Sequence, residues 1–139
     1  MRITPNFSSD EFACHDDSAY PPEWIESRLA PLCETLQVVR DSFARPVSIL
    51  SGYRSAAWNA RIGGASLSQH MQGRAADIRI GGVTPAEVHA RVLELHAAGK
   101  LPHLGGLGRY LTFCHLDVRP RAAGERLAQW TGIGVAAMD

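Results

Sequence analysis

Residues 51–80 read SGYRSAAWNARIGGASLSQHMQGRAADIRI, and the segment Ser68-Gln69-His70-Met71-Gln72-Gly73-Arg74-Ala75-Ala76-Asp77 within them is the most informative in the chain. An imidazole is followed seven residues later by a carboxylate, with Gly73 between them to allow a tight turn. Ala75 to Ile80 then reads as a strand, with Ala76, Ile78 and Ile80 toward the core and Ala75, Asp77 and Arg79 on the other face. Such a pair suits two ligands of one divalent metal. The sequence offers a third ligand in LTFCHLDVR, where His115 lies on an alternating run from Leu111 to Arg119 that puts His115, Asp117 and Arg119 on one face.

Upstream of the segment, Val47–Ser51 is a short β-branched run that ends at Gly52, so Arg54 falls just past a strand end and is sited to enter a cleft. A short helical piece through Trp58 and Asn59 follows, and the glycines of Ile62-Gly63-Gly64-Ala65-Ser66 mark a loop that delivers His70. Further upstream, Trp24, Ile25, Leu29, Leu32, Cys33, Leu36, Val39 and Phe43 recur at helical spacing, and Pro31 should start a new helix or kink this one. Residues 1–22 read as irregular, with a helix start at Ser8 or Ser9, and Cys14-His15-Asp16-Asp17 reads as a solvated loop. Downstream, Thr84-Pro85-Ala86-Glu87 is a helix start with a capping box, and Gly99 ends that helix. His89 and His96 on it have no acidic or thiol partner in register. The glycines of Leu104–Tyr110 do not fit a phosphate loop and suggest an edge-strand turn or close backbone approach. From Pro120 the chain reads as a polar, flexible tail in which Trp130 packs back.

The 139 residues are enough for one domain with one core. Fourteen basic and fourteen acidic side chains balance, which argues against a nucleic-acid or anionic-membrane binder. Three irregularly spaced cysteines, Cys14, Cys33 and Cys114, are no disulfide framework. No apolar run is long enough to span a membrane, and the start lacks the layout of a secretory signal. A monomer made in the cytoplasm is the expectation.

Two histidines and one aspartate leave a fourth zinc position for water, the arrangement of a catalytic site. Zinc can bring the pKa of that water from about 16 to near 7. A carboxylate would take its proton and a cation would hold an oxyanion or a substrate carboxylate; Asp117 and Arg54 are the candidates.

Ser51-Gly52-Tyr53-Arg54-Ser55, then Ser68-x-His70-x-x-Gly73-x-Ala75-x-Asp77, then Phe113-x-His115-x-Asp117-x-Arg119 together resemble the successive motifs of the zinc D-alanyl-D-alanine carboxypeptidase family of metallopeptidases. Phe7-x-x-x-Glu11-Phe12, Asn59 and Gly63-Gly64 extend the resemblance over roughly residues 6 to 130. It implies the compact α+β fold shared with hedgehog signalling domains, a small antiparallel sheet with flanking helices. It further implies that His70, Asp77 and His115 are the zinc ligands, that Arg54 meets the substrate or its oxyanion, and that Ser68 supports the ligand loop. Arg54, Ser68 and Tyr53 are the expected substrate-binding residues, and the expected substrate is a peptidoglycan stem peptide, cleaved by a carboxypeptidase or a murein endopeptidase. Lytic enzymes of phage origin commonly lack an export signal, so a phage or prophage source is expected too.

One departure stands out. The wider family often carries its general-base carboxylate three residues before the last histidine, where this chain has Thr112. Asp117 is the replacement the sequence offers, although it could instead orient a ligand or pair with Arg119 or Arg54; His103 is an outside candidate for proton transfer. The same gap motivates an alternative: a non-catalytic zinc-containing module that binds wall peptides or a protein.

Overall fold

The computed structural model describes residues 1–132. Strands β1 (Arg2–Thr4) and β2 (Phe7–Ser8) form a small antiparallel ladder of their own. A 3-10 turn follows over Ser9–Phe12, where Glu11 reaches back to the Ser8 amide at 2.7 Å. The opening 22 residues are therefore more ordered than their composition suggests. The Cys14–Asp16 loop is not loosely solvated either: Ser55 donates to Asp16 Oδ2 at 2.6 Å, and the His15 ring meets the Leu50 carbonyl at 2.8 Å. These bonds fasten the loop over the end of the Val47–Ser51 strand.

A 3-10 turn at Pro22–Trp24 and a π turn at Ile25–Leu29 lead into α1 (Ala30–Phe43). Pro31 sits in the first turn of α1, where its missing N–H costs nothing; it begins the regular helix, as the sequence anticipates. Helix α2 (Ala56–Arg61) is capped by the Ser55 hydroxyl, which accepts from Trp58 N–H. Helix α3 (Pro85–Ala97) carries the complete Thr84/Glu87 capping box.

The main sheet has five strands in the order β3 (Val47–Ser51), β4 (Ala75–Ile80), β6 (Cys114–Asp117), β5 (Gly106–Arg109), β7 (Ala128–Thr131). The first four pair antiparallel, while β7 runs parallel to β5. Three expectations change here. The glycine-rich segment is a strand rather than a turn before one. The run from Leu111 is a strand only from Cys114, because residues 110–113 turn the β5–β6 hairpin, closed by Tyr110 N–H to the Phe113 carbonyl at 3.0 Å. The tail does not trail away from Pro120, since β7 closes the sheet edge; residues 133–139 of it lie outside the described residues.

Alternation along the strands gives the sheet two unlike faces. Ala76, Ile78, Ile80, Leu107, Cys114 and Leu116 join Leu32, Leu36, Val39, Val88 and Val92 of α1 and α3 in one core. Cys14, Cys33 and Cys114 are free and buried, and burial pushes the Cys33 and Cys114 thiols up to about 12. Cys33 and Cys114 are therefore inert packing groups at neutral pH. Among the described residues no helix is long and apolar enough to cross a membrane.

Candidate metal centre

The face turned away from the helices is polar, and the register aligns it in rows. Ser51 pairs with Asp77, Asp77 with His115, His115 with Gly108, and Gly108 with Trp130, so one row crosses all five strands. A second row runs from Ala75 through Asp117 and Gly106 to Ala128. The glycines in these rows are windows. A Cβ on Gly106 would lie 2.3 Å from Asp117 Oδ2, and one on Gly108 would lie 2.5 Å from the Trp130 indole nitrogen.

His70 reaches the same place from the loop before β4. Its backbone carbonyl accepts from Arg54 N–H at 3.0 Å, and its amide donates to Ser68 Oγ at 3.1 Å. Gly73 turns the chain at φ +67, and Tyr20 donates to its carbonyl at 2.6 Å. Asn59 pins the loop from the other side through the Ala65 carbonyl.

His70, Asp77 and His115 each offer one ligand atom, and these atoms all lie within 4.8 Å of one another. Asp77 Oδ1 is 3.2 Å from His70 Nε2 and 3.1 Å from His115 Nδ1. Ligands held at about 2.0–2.2 Å around one tetrahedral cation stand a little over 3 Å apart, so the spacing fits. The outward nitrogens fix the tautomers. His70 Nδ1 is 2.7 Å from the Gly52 carbonyl, and His115 Nε2 is 2.7 Å from Asp117 Oδ2. In the neutral rings that a cation would meet, each outer nitrogen carries the proton it donates and the inner lone pair faces the centre. Three side chains with converging, correctly polarised donor atoms thus fit a divalent metal.

Electrostatics agree with a site built for positive charge. Burial alone would raise the Asp77 carboxyl, but the His70 and His115 rings outweigh it and hold the group well below the usual carboxylate range. Burial alone would depress His115, yet Asp117 and Asp77 carry it up to about 9 when no cation lies between them. Arg54, 4% exposed, donates to Asp77 Oδ2 at 3.4 Å, to Asn59 Oδ1 and to Ser51 Oγ. Its contact with Oδ2 leaves Oδ1 for the two imidazoles.

The centre opens into a cleft of about 230 Å³ lined by Arg54, Ser68, Gln69, the three candidate ligands, Tyr110, Phe113, Arg119 and Trp130, among others. Arg54 and Ser68 both line this cleft. Tyr53 does not: its neighbour Arg54 faces the cleft, so Tyr53 points the other way and packs edge-on against Tyr20 and Trp24. Asp117 is also placed differently from a general base. It is fully buried behind His115, with Arg119 Nε at 2.8 Å on Oδ1 and Arg119 Nη2 at 2.7 Å on Oδ2. To take a proton from a water in the cleft it would have to break four hydrogen bonds, one with His115 and three with Arg119, so its geometry is that of a group orienting His115. His103 lies elsewhere, against Glu34 at 3.1 Å, and Thr112 is exposed in the hairpin turn. Among the described residues, the only carboxylate lining the cleft is Asp77.

Sequence reasoning missed Arg119, Tyr110 and Trp130 as cleft residues. Trp130 packs on the His115 ring with centroids 5.0 Å apart, and the Arg119 guanidinium lies 5.2 Å from the Trp130 centroid. The signal was present in Gly106 and Gly108, whose missing side chains are the room that Asp117 and Trp130 fill.

A family model described as Peptidase M15 matches residues 5–117 of the chain. No curated protein matches it.

Proposed function

Because the chain belongs to the peptidase M15 family, we propose that it is a zinc-dependent peptidase that hydrolyses D-amino-acid-containing peptide bonds of bacterial peptidoglycan, as a carboxypeptidase or a murein endopeptidase. The observation that carries this reading is the convergence of His70 Nε2, Asp77 Oδ1 and His115 Nδ1 at the floor of a cleft. His70, Asp77 and His115 would hold the zinc, which supplies electrophilic activation of water and of the scissile carbonyl.

The chain's own residues do the positioning. The Gly52 carbonyl and Asp117 hold the two imidazoles by their outer N–H groups. Arg119 neutralises Asp117, and Arg54 holds the far oxygen of Asp77. Trp130 and Phe113 supply apolar walls that exclude bulk water and strengthen every charge interaction inside. The partner is the stem peptide of the cell wall, taken by a monomer, with no nucleic acid and no membrane insertion.

One observation favours a second reading. With Asp77 the only carboxylate among the described residues that line the cleft, the same centre suits a non-catalytic zinc-containing module that binds wall peptides or a protein partner. Digestion of purified muropeptides, with and without a chelator, separates the two. Turnover that stops on chelation, returns with zinc and is absent from His70→Ala is the expected result. Muropeptide binding by a zinc-loaded parent protein with no turnover on any muropeptide would favour the module instead.

A further inference from the structure

Tyr110 lines the cleft, and its hydroxyl is held in an unusual state. The Trp130 indole N–H donates to its oxygen at 2.6 Å, so one in-plane lone-pair direction of the phenol is filled. A phenolic O–H prefers the plane of its ring, which leaves one in-plane direction for the hydroxyl hydrogen. Among the described residues none accepts that hydrogen, while the oxygen is held from behind. The ring itself is fixed: it stacks on Phe113 with centroids 4.4 Å apart and planes 11° apart, and Gly132 leaves room at its edge.

The other donors of the cleft are committed differently. Arg119 grips Asp117 with two nitrogens, and Arg54 holds Asp77, Asn59 and Ser51. The Ser68 hydroxyl accepts from the His70 amide on the ligand loop and can rotate about its own Cα–Cβ bond. Tyr110 presents a neutral donor whose direction is set in advance by its ring stack and by Trp130. A donor of this kind gains most where charge develops during reaction, because it does not have to reorganise.

We propose that Tyr110, aimed by Trp130, donates a hydrogen bond to the scissile carbonyl oxygen of the bound peptide, strengthening as negative charge builds there. The hydroxyl keeps its proton throughout. Trp130 is the positioning residue: it touches the Tyr110 oxygen and the His115 ring and so ties the donor to the metal centre. This inference rests on the peptidase reading.

The experiment is steady-state kinetics of zinc-loaded parent, Tyr110→Phe and Trp130→Phe on one muropeptide, with zinc content and thermal midpoint measured on each. Tyr110→Phe keeps the ring stack and should lose kcat by about 10²–10³, with KM within about threefold and zinc content unchanged, the pattern of an interaction made in the transition state. Trp130→Phe should lose kcat by a smaller factor. Unchanged kcat in Tyr110→Phe overturns the proposal, as does a rise in KM alone, which would make Tyr110 a ground-state contact. Loss of zinc from Tyr110→Phe also overturns it, since the role would then be structural. A parent protein without turnover removes the peptidase reading itself and this inference with it, so the two failures are distinct.

Discussion

The two imidazoles of the centre are held in unlike ways. His70 stands on a loop and gives its outer N–H to a backbone carbonyl, that of Gly52, within the same stretch of chain. His115 stands on a central strand and gives its outer N–H to Asp117, a fully buried carboxylate whose charge is met by Arg119. One wall of the cleft is thus oriented by main chain, the other by an ionic network two side chains deep. A carbonyl anchor is neutral and cannot be mutated away; a carboxylate anchor raises the basicity of its ligand and fails if any member of the network moves.

The largest effect should come from removing the atom both walls share. Asp77→Ala deletes the oxygen between the imidazoles and takes a carboxylate from the buried Arg54 guanidinium. Metal binding should be lost and the fold destabilised by about 3 kcal/mol, read by metal analysis and chemical denaturation. If metal content survives, the two walls do not meet at Asp77.

Next comes the window behind His115. Gly106→Ala would press a methyl against the Asp117 carboxylate, whose two oxygens lie 2.3 and 2.7 Å from the new Cβ. The expected cost is about 1–3 kcal/mol, with metal affinity falling alongside. A gentler probe of the same wall is Asp117→Asn, which keeps the volume and removes the charge. Metal affinity should weaken about 10–100-fold, measured by competition with a chromophoric chelator. An unchanged affinity would mean that the charge behind His115 does not matter and that the two walls are equivalent.

The asymmetry also has a pH signature in the metal-free protein. Asp117 and Asp77 raise His115 from 6.5 to about 9. A group with a raised folded pKa contributes stability that is present in full below 6.5 and disappears as pH climbs through about 9. Metal-free protein should therefore lose stability across that window, and Asp117→Asn should lose less of it. Parallel denaturation series at three pH values check this, and identical slopes would contradict it. The smallest effect belongs to Thr112→Ala: an exposed residue of the hairpin turn should change turnover by less than about twofold, in line with ordinary surface positions.

The same contrast explains what the sequence made legible. The His70 wall is local: Gly52, Arg54, Ser68, His70, Gly73 and Asp77 fall within 26 consecutive positions, and their spacing carries the turn, the loop and the strand. Helix starts at Pro31 and Thr84 were readable for a similar reason, because a proline or a capping box acts over one turn. The second wall is assembled across strands. For Asp117 the sequence left a base, a ligand-orienting group and a partner of Arg119 or Arg54 all open, because nothing local reveals that Gly106, across the hairpin, gives it a buried socket behind His115. Tyr53 looked like a cleft residue because one position decides which side of the chain a side chain takes. That Trp130 packs back was legible, but its place beside His115 was not, because β7 joins β5 in parallel, pairing residues 22 positions apart with no turn signal to announce it.

The proposed function requires one metal ion that bridges the two walls through His70, Asp77 and His115. Zinc content per chain after dialysis, determined by mass spectrometry on the parent protein and His115→Ala side by side, tests it most directly. Close to one zinc per chain in the parent and almost none in the variant is the predicted result. A parent that takes up no zinc, or a variant that retains the parent's full complement, would contradict it.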